Sequence, residues 1–347
     1  MPFPIALAIK PEPEATETPQ VPAAEIEQRT EGTDDTWQQE REVRLTAQRI
    51  LGEHLRVDRP RDKRSTDPPG PHFWPDIRLN LVGATLFDWD LRDGVVAGAE
   101  FTDAKFTGDT RFDRAEFTGD AWFGRAKFNG PAGFRGAEFK GAAWFREAKF
   151  NGQAGFGGAK FKSAAWFSDA KFNGDALFGA AGFNGVPVRF GRAKFKRTAA
   201  FSRAEFTVPA GLDGAKFKGD AWFREAKFNG SAGFGGAEFI GDASFTNATF
   251  GSALFTDATF TGNARFDGAE FTSSASFGGA TFSDGENSLS FDRSIVTGTT
   301  VVGYDWPAGW ELGPGGSGGR TVGREHDGQD TGAKPEAPPA AGKAGGA

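Results

Sequence analysis

Residues 112–150 read FDRAEFTGDAWFGRAKFNGPAGFRGAEFKGAAWFREAKF, and their spacing decides the fold. Phe falls at 101, 106, 112, 117, 123, 128, 134, 139, 145, 150, 156 and 161, a strict alternation of five and six residues, so the unit is eleven residues long. Ala stands two places before nearly every Phe, as in Ala115-Glu116-Phe117 and Ala126-Lys127-Phe128. In the residue just before Phe a longer period appears: Trp122, Trp144 and Trp166 are 22 apart, with Gly133 and Gly155 midway. One structural turn is therefore about 22 residues.

A helix does not hold this pattern, because a five/six period walks around a 3.6-residue turn and glycine at this density opposes helix formation. In an extended segment, residues two apart share a face. Ala and the following Phe then point inward, and the residue between them points out. Such short faces need corners, and Asn129-Gly130, Asn151-Gly152, Asn173-Gly174 and Asn229-Gly230 supply residues that tolerate positive φ. Faces of 5, 6, 5 and 6 residues close a coil of 22. From Leu81 to Phe282 there are 38 central positions, and Phe291, Val296, Val301 and Trp306 bring the total to 42. Four per coil gives about ten coils and a rod of about 50 Å at the β spacing. The phase slips at Gly185-Val186-Pro187-Val188, between Phe245 and Phe260, and between Ser283 and Phe291, where bulges or small loops are expected.

Flanking segments differ in composition. Residues 1–33 are rich in Pro, Glu, Ala and Thr and are expected to be disordered. Residues 34–57 predict one amphipathic helix, with Asp34, Asp35 or Thr36 as N-cap and Trp37, Val43, Ala47, Ile50, Leu51 and Leu55 at helical intervals. A charged, Pro-interrupted linker covers 58–76, and the repeat covers 77–306. Residues 307–347 read as a cap followed by a disordered Gly/Pro/Ala-rich tail beyond Trp310. Open coil ends expose apolar rings and unpaired backbone. The covers expected are Phe73, Trp74 and the helix at the start, with Tyr304, Trp306 and Trp310 at the end.

The run GATLFDWDLRDGVVAGAEFTDAKFT, residues 83–107, resembles the pentapeptide-repeat family, whose unit is Ala-(Asp/Asn)-(Leu/Phe)-x-x, and AEFTGDAWFGRAKFNG resembles its Phe-centred, eleven-residue subclass. The resemblance implies an all-β, right-handed quadrilateral β-helix over roughly two-thirds of the chain. Glu, Lys, Thr or Trp replaces the family's usual Asp/Asn between Ala and Phe. The string REVRLTAQRILGEHL also resembles the lead-in of actinobacterial pentapeptide-repeat proteins, in which membrane-spanning segments often come earlier in the chain.

Chemistry is sparse in the sequence. Cysteine is absent and the three histidines, His54, His72 and His326, are far apart, so thiolate chemistry is excluded and a histidine triad or zinc site is disfavoured. GFGGAKF and GPGGSGGR lack the strand-to-helix setting of a phosphate-cradling loop. Asn229-Gly230-Ser231 and Asn247-Ala248-Thr249 match a glycosylation sequon but read as corners. No cofactor, metal, small-molecule substrate or enzymatic activity is expected. The amino terminus has no basic leader and too short an apolar run to span a membrane, so the expected compartment is the cytoplasm, with membrane association only through a partner.

Two surface features stand out. Trp122, Trp144 and Trp166 should form an outward column, either stacked on itself or under the helix, or else a surface for a partner or for self-association. Residues 125–203 hold fifteen Lys/Arg against Glu138, Glu147, Asp169 and Asp175, a local net of +11 in a chain of net −6. Within that belt Lys127, Lys149 and Lys171 are again 22 apart, a like-charge ladder that either fans into water or meets an anionic partner. The leading expectation is a non-enzymatic scaffold binding a protein partner. Alternatives are binding of nucleic acid, another anionic polymer or an anionic membrane surface through the basic belt, and, by resemblance, mimicry of duplex DNA toward a type II topoisomerase, which needs an acidic face.

Overall fold

The computed structural model describes residues 23–57, 70–285, 288–298, 304–316 and 319–324. Each Ala-x-Phe triplet contributes a strand of two or three residues whose middle residue faces out, and the strands of successive coils pair in parallel. Trp144 lies in register with Trp122 and Trp166, Lys149 with Lys127 and Lys171, Ala154 with Ala132, and Glu138 with Glu116. All four offsets are 22 residues, so each coil has four faces. In chain order, face 1 opens with Arg78–Asn80 and face 2 with Thr85–Phe87; Thr110–Arg111 lies on face 3 and Val95–Val96 opens face 4. Faces 2 and 3 are separate stacks of ten and nine strands. Faces 4 and 1 merge into one sheet because Lys227–Gly233, Thr249–Leu254 and Glu270–Ser276 run through the corner between them. The result is a β-solenoid of about ten turns.

Its interior is built of phenylalanine. On face 2, Phe106, Phe128, Phe150, Phe172, Phe195 and Phe217 stack with centroids 4.6 to 4.9 Å apart, and rings on neighbouring faces meet edge to face, as Phe145 does with Phe156 at 5.4 Å. Both geometries suit the aromatic quadrupole, and each ring leaves water completely. The alanines two places earlier are equally buried, so small and large side chains alternate through a narrow core.

The corners divide differently from expectation. Positive φ on non-glycine residues falls at the five-residue steps, on Asp103, Arg125, Glu147, Asp169 and Arg192 between faces 1 and 2, and on Asp93, Arg114, Ala180, Arg203 and Glu225 between faces 3 and 4. The Asn-Gly corners sit at six-residue steps, and there glycine answers to crowding. A Cβ on Gly152 would lie 2.6 Å from the backbone of Gly130, and one on Gly174 would lie 2.4 Å from the Gly152 carbonyl oxygen. Coils approach so closely at these corners that no side chain fits between them.

The phase slips are absorbed locally. Val188 takes the inward small-residue slot opposite Ala165 while Val186, next to the cis Val186-Pro187 bond, projects into solvent. A bulge between Phe228 and Ser231 matches Asn229-Gly230 to a shorter corner at Gly251 in the next coil. Of the third slip, residues 286–287 lie outside the described residues.

The chain divides into two compact units, Met1–Ala47 and Gln48–Ala347. Among the described residues one helix, α1, spans Ala23–Leu55. It starts well before Asp34, so Asp34, Asp35 and Thr36 are helical and do not cap; the preceding AAEIEQR is made of good helix formers, and Gly32 does not interrupt it. Within the first unit, Glu40 pairs with Arg44 one turn on. No helix among the described residues is long and apolar enough to cross a membrane.

Within the second unit, helix residues 48–55 close the first coil. The Gln48 amide donates to the Phe87 carbonyl at 2.7 Å and accepts from the Phe87 N–H at 3.0 Å, so it mimics a neighbouring strand. Leu55 is fully buried, and Gly52 is required because a Cβ there would meet the Asp90 carbonyl oxygen at 2.8 Å. Arg56 forms an antiparallel bridge to Gly94. Trp89, buried in the slot that Ala fills in later coils, completes this end and packs edge-on against Phe101 at 6.0 Å. Of the expected covers, Trp74 instead stays 40% exposed, stacked on His54 at 4.1 Å, and Phe73 is only half-buried outside the core cluster.

At the far end Trp306 meets Phe271 and Phe291 edge-on at 5.3 and 5.5 Å, Tyr304 stacks on Trp306, and Trp310 lies 5.0 Å from Phe291. Trp310–Gly316 and Gly319–Arg324 then pair as an antiparallel hairpin whose second strand joins Ile295–Val296. The segment beyond Trp310 is therefore structured as far as Arg324, because the Leu312–Val322 cross-strand pair gives the Gly-rich turn two arms and Val322 is buried. Val301 and the expected disordered segments 1–22 and 325–347 lie outside the described residues, as does most of the linker, 58–69.

Candidate functional site: a tryptophan column and a lysine ladder sharing one corner

Trp122 and Lys127 belong to consecutive faces of one coil, with a single corner between them: Trp122-Phe123-Gly124-Arg125-Ala126-Lys127. Repetition every 22 residues turns this hexapeptide into three parallel columns. On face 1 the indoles of Trp122 and Trp144 stack at 4.7 Å and 0°, and those of Trp144 and Trp166 at 5.1 Å and 4°. Their faces are thus spent on one another and only edges point outward. The indole nitrogens of Trp144 and Trp166 are enclosed without a hydrogen-bond partner, while Trp122, at the end of the stack, is 37% exposed.

On face 2 the ladder is longer than Lys127, Lys149 and Lys171. Lys105 continues it on one side and Lys194 and Lys216 on the other, all in register, until Glu238 ends the run by pairing with Lys216. Lys105 lies at the same interval of 22 and is visible in the sequence; Lys194 and Lys216 follow once the extra residue at 185–188 is counted into the phase. Among the described residues no carboxylate lies within ion-pair distance of Lys105, Lys127, Lys149, Lys171 or Lys194. All five are exposed.

The corner between these columns carries Asp103, Arg125, Glu147, Asp169 and Arg192 at successive coils, each with φ between 55° and 60°. Arg125 donates through Nε and Nη2 to Asp103 at 2.8 and 2.6 Å, and Arg192 donates likewise to Asp169 at 2.8 and 2.8 Å. These fork-to-carboxylate bonds hold both aspartates below the ordinary carboxylate range, with Lys127 and Lys194 adding weaker attraction. Glu147 lies 3.5 Å from Arg146. The corner acids are therefore engaged first by arginine, which leaves the lysines without ion pairs of their own among the described residues. Corner and ladder together line a shallow groove of about 630 Å³. On the ladder's other side runs a hydrogen-bonded asparagine column, Asn151 donating to Asn129 at 3.0 Å and Asn173 to Asn151 at 2.8 Å.

Among the described residues no other outward strand column is like this one. On face 4 the sequence Glu116, Glu138, Lys160, Gly182, Glu205, Lys227 mixes signs, and on face 3 Arg111 is followed by Gly133, Gly155, Leu177, Ala200 and Trp222. No cluster of three or more potential metal ligands occurs among the described residues. The candidate site is therefore a surface feature, a like-charge column flanked by an arginine-paired corner and an asparagine column.

Comparison with known proteins bears on the fold. A family model described as pentapeptide repeats (9 copies) matches residues 95–138, 134–182 and 212–259. No curated protein matches the chain. The matched segments fall on the coils whose Ala-x-Phe strands build the four faces, and on that ground the coils of residues 95–182 and 212–259 are pentapeptide repeats and the solenoid is a pentapeptide-repeat solenoid.

Proposed function

We propose that this protein is a non-enzymatic scaffold that binds an acidic protein partner along face 2 of its solenoid. The observation that carries this reading is the run of six lysines in register, five of them without an ion-pair partner. Like charges directly opposed across strands are unfavourable. At the coil spacing, each neighbouring pair repels by roughly 1 kcal/mol in water before screening. The mixed signs of face 4 avoid that repulsion, and an anionic partner removes it on face 2. The tryptophan column, closed on itself, serves in this reading as a stiffening stack beside the contact surface.

Mimicry of duplex DNA fits this chain poorly, because such a surface needs an acidic face where this one is basic. In the finer classification the chain is a Phe-centred, eleven-residue form of actinobacterial type, a reading supported by the five/six alternation and by the string REVRLTAQRILGEHL. A cytoplasmic setting belongs to the same proposal.

The test compares co-purification by the full chain, a Lys127→Ser, Lys149→Ser, Lys171→Ser variant and a Trp122→Ser, Trp144→Ser, Trp166→Ser variant, after circular dichroism shows all three folded. The expected result is that the lysine variant loses a salt-sensitive acidic partner that the tryptophan variant retains. Retention of that partner by the lysine variant would move the contact away from face 2.

A further inference from the structure

The spacing of the ladder selects among anionic partners. Successive lysines sit one coil apart, where the buried rings beneath them repeat every 4.6 to 4.9 Å. Six lysines thus span roughly 24 Å. An α-helix advances about 5.4 Å per turn, so a helix carrying one carboxylate per turn on one side drifts from the ladder by only about 3 Å over that length. The long, flexible lysine stems absorb such a drift. In an extended acidic peptide, carboxylates on one side recur about every 6.8 Å, and the drift reaches about 10 Å.

Other polyanions fit less well. Sequence-tolerant binding of single-stranded nucleic acid relies on aromatic rings on which bases stack. Along the ladder, from Phe106 to Phe217, face 2 turns its phenylalanines inward, and the neighbouring indoles are stacked on one another. A duplex or a membrane presents a broad anionic surface, and beside the ladder it would meet a corner whose charges are largely paired off, Arg125 with Asp103 and Arg192 with Asp169, so that only the single row of lysines is free to face it. A cylinder about 10 Å across resting along the groove meets the lysine row, with Arg125 and Arg192 of the corner already turned to Asp103 and Asp169.

We infer that the partner segment is an amphipathic acidic helix of another protein, about 16 residues long, lying parallel to the solenoid axis with Asp or Glu at i, i+4, i+7, i+11 and i+14 along the row from Lys105 to Lys216. This inference rests on the proposed binding role of face 2 and adds the conformation and pattern of what binds there. The asparagine column offers amides to polar side chains on one flank of the helix.

Fluorescence anisotropy with the full-length chain tests it, using three labelled peptides of equal length and charge. One is helical with glutamates along a single side, one is helical with the same glutamates distributed around the axis, and one is interrupted by prolines. The patterned helix should bind at least tenfold more tightly than either control at low salt. The Lys127→Ser, Lys149→Ser, Lys171→Ser variant should lose that binding at least tenfold, and the corresponding triple Lys→Arg variant should keep it, which separates lost charge from a lost fold. Equal binding of all three peptides, still lost in the serine variant, overturns the helix inference and leaves an anion-binding ladder in place. Tighter binding of a single-stranded oligonucleotide or of phosphatidylserine vesicles than of the patterned helix also overturns it. Failure of every anionic probe to bind overturns both the inference and the proposed role.

Discussion

The tryptophan column and the lysine ladder occupy the same slot of the repeat on adjacent faces, at the same spacing, on the same buried core, yet one is closed and the other open. Stacked at the β spacing, an indole finds its best partner in the indole of the next coil. Stacked at that spacing, an ammonium finds in the next coil the group it should most avoid. A solenoid repeats whatever its outward position carries, so the chemistry of one side chain decides whether a face completes itself or calls for something else. The asparagine column behaves as the indoles do, each amide satisfying the next.

The sharpest way to break this comparison is through the core that the two columns share. Phe145 lies beneath the tryptophans and Phe150 beneath the lysines, both fully buried. Phe145→Ala and Phe150→Ala should each cost about 3 to 5 kcal/mol, read from denaturant midpoints. A markedly smaller loss for Phe150 would mean that face 2 is already loosened by repulsion among its lysines, and the columns would then differ below the surface as well as on it.

Next in size is the contrast between outward residues themselves. Trp144→Ala removes two stacking contacts and should lower stability by about 2 kcal/mol while leaving anion binding intact. Lys149→Ala removes like-charge repulsion and should shift stability by less than about 0.5 kcal/mol, in the stabilising direction, while weakening anion binding. Equal destabilisation by the two substitutions would show that the lysine stems pack on the face much as the indoles do.

Much of this arrangement is legible in the residues, and the exceptions share a cause. Ala115-Glu116-Phe117 already states which side chains face inward, and the 22-residue interval from Trp122 to Trp144 already states which ones stack. Period says nothing about how closely coils approach, so the Asn-Gly corners looked like sites of positive φ, when crowding explains Gly152 and positive φ falls instead on Arg125 and Glu147. The ends escape for the opposite reason. Trp89 breaks the pattern by filling an alanine slot where no earlier coil competes, Gln48 acts through its amide, and the 310–324 hairpin is too Gly-rich to announce two strands. Lys194 is hidden only by one extra residue in the phase. Periodicity reports the middle of a solenoid, whereas its ends are made of residues that depart from the period.

The corner between the columns offers a smaller effect. Glu147 holds φ at 59°, a conformation that costs a non-glycine residue roughly 1 kcal/mol. Glu147→Gly should therefore raise the denaturant midpoint by up to about that amount, reduced by the greater freedom glycine has when unfolded. It also removes an acid from the groove, so anion binding should strengthen in the same variant. A gain in stability without a gain in binding would show that Glu147 is neutralised by Arg146 and contributes nothing to the field over the ladder.

The smallest effect decides whether the ladder is truly uncompensated. Hydrogen bonds from Arg192 hold the Asp169 carboxyl below its ordinary value of 3.8. A group whose folded value is depressed contributes stability above its unfolded value, and that contribution disappears as pH falls through the folded one. The chain should therefore lose this increment below about pH 4, and Asp169→Asn should show a shallower acid slope in thermal midpoints taken between pH 6 and 2.5. Because the pair faces solvent, the difference in slope should be small and should shrink further in high salt. If wild type and variant fall in parallel, Arg192 does not hold Asp169, and the carboxylate is free to swing toward Lys171 and Lys194. The ladder would then carry its own counter-charges, as the indoles carry their own stacking partners, and the distinction between a closed face and an open one would fail at the corner that joins them.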